Sequence, residues 1–240
     1  MTYCVGLLLK AGLVLLSDTR TNAGLDNIST YRKMFIFEKP GDRAIVMLTA
    51  GNLSVTQTAL ARLSEAIDAP DATPETSIML AENMLDVATI VGDMLSRVTA
   101  ETKARMDRMN QMATATMIVA GQRKGGRMRL FLIYPEGNFI EATEDTPYLQ
   151  IGEHKYGKPI LDRVITKDTP LEEARKAVLL SMDSTLRSNL SVGMPLDLVV
   201  IETDALRITE QRRIEANDED FAAMSAAWSQ ALRDAFTQIA

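Results

Sequence analysis

The chain has 240 residues and a net charge of −6, and 46 % of its residues are hydrophobic while 5 % are aromatic. The apolar content is enough for a sizeable core. The acidic balance and the scarcity of aromatic rings exclude a general nucleic-acid binder, which needs a basic face and stacking surfaces. A single cysteine, Cys4, excludes an intramolecular disulfide, and a single histidine, His154, argues against a histidine-based metal site or a Ser-His-Asp triad. We therefore expect neither a metal nor a cofactor.

The sequence contains no stretch typical of a membrane span or a cleaved leader. The apolar segment Val5–Leu16 is interrupted by Lys10 and Gly12, and no segment approaches the roughly 20 uninterrupted apolar residues that a spanning helix needs. These features predict a soluble, cytoplasmic protein that binds neither membrane nor nucleic acid.

The first half of the chain is predicted to begin with strands and continue with helices. Almost continuous apolar runs, typical of strands covered on both faces, predict four strands: Thr2–Leu9, Gly12–Ser17, Lys33–Phe37 and Arg43–Thr49. Apolar residues at helical spacing then predict one helix from Leu53 to Ile67 and a second that starts with a cap at Thr73 and continues toward Arg108.

The second half returns to strands before its last two helices. Apolar runs predict strands at Thr114–Gly121, Met128–Ile133, Asn138–Ala142, Leu196–Thr203 and Leu206–Ile214. Gly125 and Gly126 predict a hairpin between the first two of these strands. A helix is predicted at Leu171–Leu186, and an amphipathic helix at 218–240, whose apolar side packs either on its own domain or on a neighbouring subunit.

Segregated blocks of strands and helices predict an α+β fold with two sheets face to face and helices outside. Because no linker, repeat or low-complexity segment interrupts the chain, we expect a single domain over residues 1–240.

Thr2 is the candidate for chemistry, because removal of Met1 would leave a threonine at the terminus. The α-amine of such a residue has an ordinary pKa of about 7.7–8.0, so it can act as the base that activates the hydroxyl without any histidine. A nearby lysine would lower the pKa of both groups, and a carboxylate would keep that lysine charged and oriented. Asp18 and Lys33 lie at the edges of the next two predicted strands, where they could approach Thr2. The alternative is that Asp18 is an ordinary turn residue and that Lys33 is a solvated lysine at a strand edge.

Several separated stretches carry a resemblance to a known family. TYCVGLLLKAGLVLLSDTRTNAG, YRKMFIF and TAGN resemble the start of proteasome-type β-subunits, which are threonine-dependent N-terminal nucleophile hydrolases. NAGLDNISTYRKM, YLQIGEHKYGKPILDR and DSTLRSNLSVGMPLDL are similar to Anbu, the bacterial ancestral-β-subunit branch. The resemblance implies a four-layer αββα sandwich, the fold of N-terminal nucleophile hydrolases.

The resemblance also implies roles for individual residues. Thr2 matches the nucleophile, Asp18 the orienting carboxylate, Lys33 the cation that lowers the pKa, and Gly51 the glycine whose backbone N–H serves the oxyanion hole. Residues that border the substrate groove are matched by Arg20, Thr21 and Asn22.

Two positions depart from the family pattern. Glu153 stands where many proteasome subunits have serine, and it is expected to face solvent or, alternatively, to alter the charge around the amine. The usual Asp-x-x-Ser pattern reads Ser188-Asn189-Leu190-Ser191, so that Ser191 keeps the supporting hydroxyl while the aspartate is missing.

The resemblance favours a threonine peptidase that hydrolyses amide bonds of peptides or unfolded proteins and assembles with itself into rings or an open spiral. Two alternatives remain open at this point. The chain could be a weakly active or inactive scaffold with the same fold, or a relative that forms or transfers amide bonds with the same threonine.

Overall fold

A computed structural model of the chain describes residues 1–22, 28–106 and 113–239. Its strands are β1 (Tyr3–Leu9), β2 (Gly12–Asp18), β3 (Arg20–Asn22), β4 (Ile28–Thr30), β5 (Met34–Lys39), β6 (Arg43–Gly51), β7 (Ala115–Arg123), β8 (Arg129–Ile133), β9 (Phe139–Glu141), β10 (Tyr148–Gly152), β11 (Leu196–Glu202) and β12 (Glu210–Ile214). Its helices are α1 (Leu53–Asp68), α2 (Met84–Met106), α3 (Lys158–Val164), α4 (Leu171–Ser188) and α5 (Glu219–Gln238).

Ten of the strands form two five-stranded antiparallel sheets. One sheet has the order β10-β1-β2-β11-β12 and the other the order β5-β6-β7-β8-β9, while β3 and β4 form a small separate pair. In the first sheet Cys4 is opposite Ser17 and Asp18 is opposite Leu196, so the start of β1 and the end of β2 lie at the same end of the sheet.

Three layers of buried side chains separate four layers of backbone. The two sheets face each other across a core that includes Leu15 and Ile118. Helices α1 and α2 cover the outer face of the second sheet, with Leu63 and Leu95 in the core between them. Helices α3 and α4 cover the outer face of the first sheet, where Val178 is buried. The architecture is thus the αββα sandwich that the sequence predicts.

Most predicted elements are confirmed within a few residues, but the second helix begins later than expected. It starts at Met84 and not at Thr73, and residues 71–83 form turns. Asn83 explains the start, because its Oδ1 accepts the backbone N–H groups of Leu85 and Asp86 at 2.8 and 3.0 Å, as an N-capping side chain does. The predicted continuation of this helix at Arg108 lies outside the described residues.

The last strand is also shorter than predicted, since it begins at Glu210 and not at Leu206. Asp204 and Leu206 adopt positive φ values of 63° and 50°, which turn the chain before the strand can start. Elements that the sequence did not predict are β3, β4, β10 and α3. Of these, β10 matters most for function, because it pairs with β1 from Tyr3 opposite Gly152 onward.

Helix α5 follows the predicted amphipathic tail, except that Ala240 lies outside the described residues. Its first half contacts α4, where the Ser225 hydroxyl donates to Asp183 at 2.7 Å. Its last turns leave large apolar side chains exposed: Leu232, Phe236 and Ile239. No residue of the helix is fully buried. Across the three described ranges, no helix combines the length and apolar character needed to cross a membrane.

Candidate functional site

The first residues of the chain are held by hydrogen bonds on both sides of Thr2. The Thr2 carbonyl accepts the backbone N–H of Glu153 at 2.6 Å, and the Tyr3 N–H donates to Asp18 Oδ1 at 3.1 Å. The Tyr3 side chain is fully buried, and its hydroxyl bonds to Ser181 and Gln150, both at 2.6 Å. Thr2 is therefore attached to the rigid core of the first sheet.

Asp18 and Lys33 form a buried ion pair next to Thr2. The Lys33 Nζ donates to Asp18 Oδ1 at 2.7 Å and to the Arg20 carbonyl at 2.6 Å. The second oxygen of Asp18 accepts the Gly193 N–H at 3.2 Å. The exposed fraction is 0 % for the aspartate side chain and 6 % for the lysine side chain. Because every charge has partners, the pair is fixed in one arrangement, and removing either member would leave the other charge buried without its ion-pair partner.

The environment of Asp18 acts on its pKa in two directions. Burial raises the pKa of this carboxyl, and Lys33 together with the N–H groups of Tyr3 and Gly193 opposes the rise. The opposing contacts all stabilise the charged form. They also orient the carboxylate so that Lys33 is held against the start of β1.

Thr2 opens onto a cavity of about 310 Å³ between the ends of the two sheets and the start of α1. Four predicted members of the site line it, namely Thr2, Thr21, Lys33 and Gly51. The other lining residues are Met1, Thr49, Ala50, Leu53, Thr56 and Gly152. A second cavity of about 360 Å³ shares Thr49, Leu53 and Thr56 with the first and continues past Phe35 and Leu60. Together they form a groove that leads away from Thr2 and becomes more apolar.

Two glycines shape the cavity at points where a side chain could not fit. Gly152 has a φ of 82°, and a Cβ built on it would lie 1.9 Å from the Thr2 carbonyl oxygen. Gly51 ends β6 with a φ of 104°, and a Cβ there would lie 2.5 Å from the Thr114 carbonyl oxygen. Both positions require glycine, since the positive φ and the close backbone each disfavour any larger residue.

The three residues predicted to border the substrate groove separate in the structure. Thr21 lines the cavity. The Arg20 side chain instead donates to the Leu190 carbonyl at 3.0 Å and packs against Gly193, while its own carbonyl holds Lys33. Asn22 is paired through its backbone with Ile28 in the small β3–β4 ribbon. Arg20 therefore belongs to the framework of the site, not to the cavity wall.

Ser191, predicted as the supporting hydroxyl, lies in the loop between α4 and β11. Its backbone N–H donates to Asn189 Oδ1 at 2.9 Å, and Gly193 of the same loop contacts Asp18. Within the residues that the structure describes, the Ser191 hydroxyl makes no hydrogen bond with Thr2, Asp18 or Lys33. The loop reaches the site through Gly193, a residue that the sequence did not single out.

Glu153 is half-buried and does not simply face solvent. Its Oε2 accepts a hydrogen bond from Asn189 Nδ2 at 3.2 Å. The terminal amine of the structure is that of Met1, and the negative charge of Glu153 is one of the charges that act on it. Burial and Lys33 lower the pKa of this amine below its ordinary value, and Asp18 and Glu153 act in the opposite direction. The sequence signal for Glu153 was its departure from the family pattern; nothing indicated Asn189.

Comparison with known proteins gives the class first. The sequence matches the proteasome subunit family over residues 2–201, which is most of the chain. The matched part begins at Thr2 and includes both sheets up to Ile201, so the sandwich and the start of β1 are those of a proteasome-type subunit. A search of curated proteins returned no match.

Comparison with solved structures identifies the branch of the proteasome family to which the chain belongs. Anbu from Hyphomicrobium sp. strain MC1 is 50 % identical with a TM-score of 0.89, over 99 % of this chain and 98 % of that one. Anbu (ancestral beta-subunit) from Yersinia bercovieri is 44 % identical with a TM-score of 0.92, over 99 % and 97 % of the two chains. A helical assembly of the Anbu complex from Pseudomonas aeruginosa contains a chain that is 45 % identical with a TM-score of 0.93, over 99 % and 97 %. The chain belongs to the Anbu family of proteasome-type subunits.

Proposed function

We propose that the protein is a threonine-type amide hydrolase whose nucleophile is the Thr2 hydroxyl, exposed as a terminal residue by removal of Met1. The observation that carries this proposal is the buried Asp18–Lys33 pair, which holds a lysine beside Thr2 at the wall of a cavity. A buried ion pair of this kind is costly to desolvate, and a cation held beside a terminal threonine supplies a chemical reason for its position.

The first half of the reaction forms an ester. The neutral amine of Thr2 takes the hydroxyl proton, and the oxygen attacks the carbonyl carbon of the substrate amide. The Gly51 N–H would stabilise the oxyanion that develops, where loss of one donor typically costs about 2.7–4 kcal/mol. The C–N bond then breaks, and the leaving amine receives the proton that the Thr2 amine had taken.

The second half regenerates the enzyme. A water molecule gives a proton to the amine, and its oxygen attacks the ester carbonyl. The bond between the carbonyl carbon and the threonine oxygen then breaks, the ammonium returns the proton to that oxygen, and the acid leaves. Lys33 lowers the pKa of the hydroxyl and of the amine in both halves, because its positive charge favours the alkoxide and disfavours the ammonium. Asp18 keeps Lys33 charged and oriented, which is a positioning role.

The state of Met1 decides between this proposal and an inactive scaffold. With Met1 attached, the nitrogen of Thr2 is an amide without a basic lone pair, and it cannot accept the hydroxyl proton. Met1 also lines the cavity that a substrate would enter. A chain that keeps Met1 would therefore retain the fold and the capacity to assemble without the chemistry.

The groove suggests which substrates would bind. It begins with small residues at Ala50 and Gly51 and continues along Leu53 toward Phe35 and Leu60. An extended peptide with an apolar side chain beside the cleaved bond fits these walls. If an amine attacked the ester in place of water, the enzyme would transfer the acyl group and form a new amide. The ratio of amide product to acid product, measured with an added amine, separates this alternative from hydrolysis.

We also propose that the protein assembles with copies of itself. A helical assembly is described for the relative from Pseudomonas aeruginosa. In this chain the end of α5 offers an apolar surface, since Phe236 is 80 % exposed and Ile239 is 77 % exposed. Burial of such side chains against a second copy would remove apolar surface from water and favour association.

Two measurements on the purified chain test the hydrolase. Intact mass spectrometry gives the fraction of chains that have lost Met1. An electrophilic inhibitor directed at terminal threonines is then added, and a mass increase located on Thr2 is expected for the wild type and absent for Thr2→Ala. Labelling that persists in Thr2→Ala would contradict the proposal. Ser54→Ala, which removes an exposed hydroxyl in the first turn of α1, serves as the control.

A further inference from the structure

Glu153 is hydrogen-bonded to Thr2 through its backbone, and its half-buried side chain carries a carboxylate that the proposed reaction does not use. Its backbone N–H is hydrogen-bonded to the Thr2 carbonyl, and Gly152 before it lies opposite Tyr3 in the β1–β10 ladder. Gly152 also lies so close to the Thr2 carbonyl that no side chain fits between them, which holds the hydrogen bond between Glu153 and Thr2 in place. The start of the β10–α3 loop thus cannot move away from Thr2 without breaking the end of the sheet.

Asn189 holds the carboxylate in place. Its backbone N–H donates to the Thr185 carbonyl at 2.9 Å, and its Oδ1 accepts the Ser191 N–H at 2.9 Å. Because the oxygen of the amide is occupied by a backbone donor, its nitrogen must be the group that faces Glu153, and it donates to Oε2 at 3.2 Å. Asn189 is itself only 9 % exposed, so the clamp on Glu153 belongs to the ordered part of the loop.

Three charged groups act on the terminal amine of the structure, which is that of Met1 beside Thr2, and each comes from a different element. Asp18 ends β2, Lys33 precedes β5, and Glu153 follows β10. Lys33 and Asp18 are already paired with each other at 2.7 Å. Among the described residues, the side-chain partner of Glu153 is the neutral amide of Asn189, and its charge has no ion-pair partner there.

We propose that Glu153 is a positioning residue for the terminal amine of Thr2: its carboxylate, held by Asn189, stabilises the ammonium group that forms when the amine takes the hydroxyl proton. This inference rests on the proposed function, because it assigns a role within the same reaction. Lys33 favours the alkoxide and disfavours the ammonium, and the negative charge of Glu153 would oppose the second of these effects. The two residues together would let one site hold both charges of the proton-transferred state.

The sign of the effect follows from the charge. A carboxylate near the amine raises the pKa of the amine, so Glu153→Gln should lower it and leave more neutral amine in mildly acidic solution. We expect a fall of about half a unit to one unit, as for one charge that acts across several ångströms at a partly exposed site. Asn189→Leu, which releases the carboxylate, should give a smaller change in the same direction.

The test measures the amine directly and does not require activity. The Thr2 amine, in chains shown by intact mass to lack Met1, is titrated by competitive acetylation with acetic anhydride between pH 5 and 10, and the product is quantified by mass spectrometry. Glu202→Gln is the matched control, because it removes the same charge from the exposed end of β11 opposite Gly12, at the other end of the sheet from Asp18. The pKa of the amine should be lower in Glu153→Gln than in the wild type and in the control.

A second arm follows the rate of inhibitor labelling at Thr2 against pH. The acid-side midpoint of the wild-type profile should move to lower pH in Glu153→Gln by the same amount as the amine pKa. An amine pKa that is unchanged in Glu153→Gln would overturn the role of Glu153, even if Thr2 is labelled normally. A wild type that is not labelled at any pH would instead overturn the proposed function, and the acetylation result would still decide whether Glu153 acts on the amine.

Discussion

Strand β1 at the start of the chain and helix α5 near its end are both rich in apolar residues, yet they lie in opposite environments. In β1 every residue except Leu8 is buried, and the strand has hydrogen-bonded neighbours on both sides. In α5 no residue is fully buried, and apolar side chains such as Phe236 project into solvent. The apolar residues of β1 build the core of this subunit, whereas those of α5 remain available to another.

Under the proposed function, this difference would separate two tasks. A nucleophile needs a fixed position, and β1, which follows Thr2 directly, is held by β2, β10 and the Asp18 carboxylate. An assembly surface needs exposure, and α5 extends from α4 with its last turns uncovered. Changes in β1 should therefore alter both chemistry and stability, and changes at the exposed end of α5 should alter association alone.

The largest effect is expected for Lys33→Ala. It removes the cation beside Thr2 and leaves Asp18 buried without its ion-pair partner. We expect labelling of Thr2 to slow by about 10²- to 10⁴-fold, and the free energy of unfolding to fall by about 3–5 kcal/mol. Lys39→Ala, at the exposed end of β5, the strand that Lys33 precedes, is the control for loss of a lysine, and equal behaviour of the two variants would contradict the account.

Gly152→Ala should come next, because the added Cβ would collide with the Thr2 carbonyl. Strain from the positive φ and the displaced β1 terminus should together cost about 2–5 kcal/mol, measured by denaturant unfolding. Gly41→Ala separates the two causes, since Gly41 has a φ of 79° with no atom within 4 Å of the new Cβ. If both variants lose the same stability, the contact with Thr2 is not what requires glycine.

A smaller effect is expected for Asp218→Ala at the start of α5. Asp218 Oδ1 accepts the Phe221 N–H at 2.8 Å, and loss of such a cap typically costs about 1 kcal/mol. That bond, and then Arg212, lower the pKa of Asp218, so its stabilisation is present above the pKa of an unfolded aspartate and is lost as the pH falls through the folded value. The difference from wild type should disappear in strong acid, and Asp218→Asn, which keeps the cap, should lose only a few tenths of a kcal/mol.

The smallest effect on stability is expected for Phe236→Ser, which should change the free energy of unfolding by less than about 0.5 kcal/mol because the side chain is exposed. If the end of α5 joins subunits, the same variant should shift the protein toward smaller species in sedimentation velocity. Gln238→Ser, in the same turn, is the control. Unchanged assembly in Phe236→Ser would show that the contact surface between subunits does not include the end of α5.

The sequence predicted the regular parts of this fold because their patterns are local. The long apolar runs at β1, β2 and β6 and the helical spacing in α1 each identify an element without knowledge of its neighbours. Strand β10 and helix α3 are short, and their places depend on pairing with β1 and packing on α4. The start of α2 was missed because the Asn83 cap competes with an equally plausible cap at Thr73.

The site could be anticipated to the extent that it resembles a family. Asp18 and Lys33 were expected near Thr2, and the structure brings them together in one buried pair. The packing of Arg20 on Gly193 and the clamp of Asn189 on Glu153 depend on the loop between α4 and β11, which meets the end of β2 only after the sheet has formed. Such contacts between distant segments have no signature in local spacing.

The pH dependence of Thr2 labelling, measured on chains shown by intact mass to lack Met1, tests the central claim most directly. If the Thr2 amine is the base, the labelling rate should rise with pH through a midpoint below the ordinary amine pKa of about 7.7–8.0, because Thr2 is half-buried and Lys33 is held beside it, and both disfavour the ammonium form. Chemical capping of the amine should abolish labelling. Labelling that continues after capping, or that is equally fast in Thr2→Ala, would contradict the account.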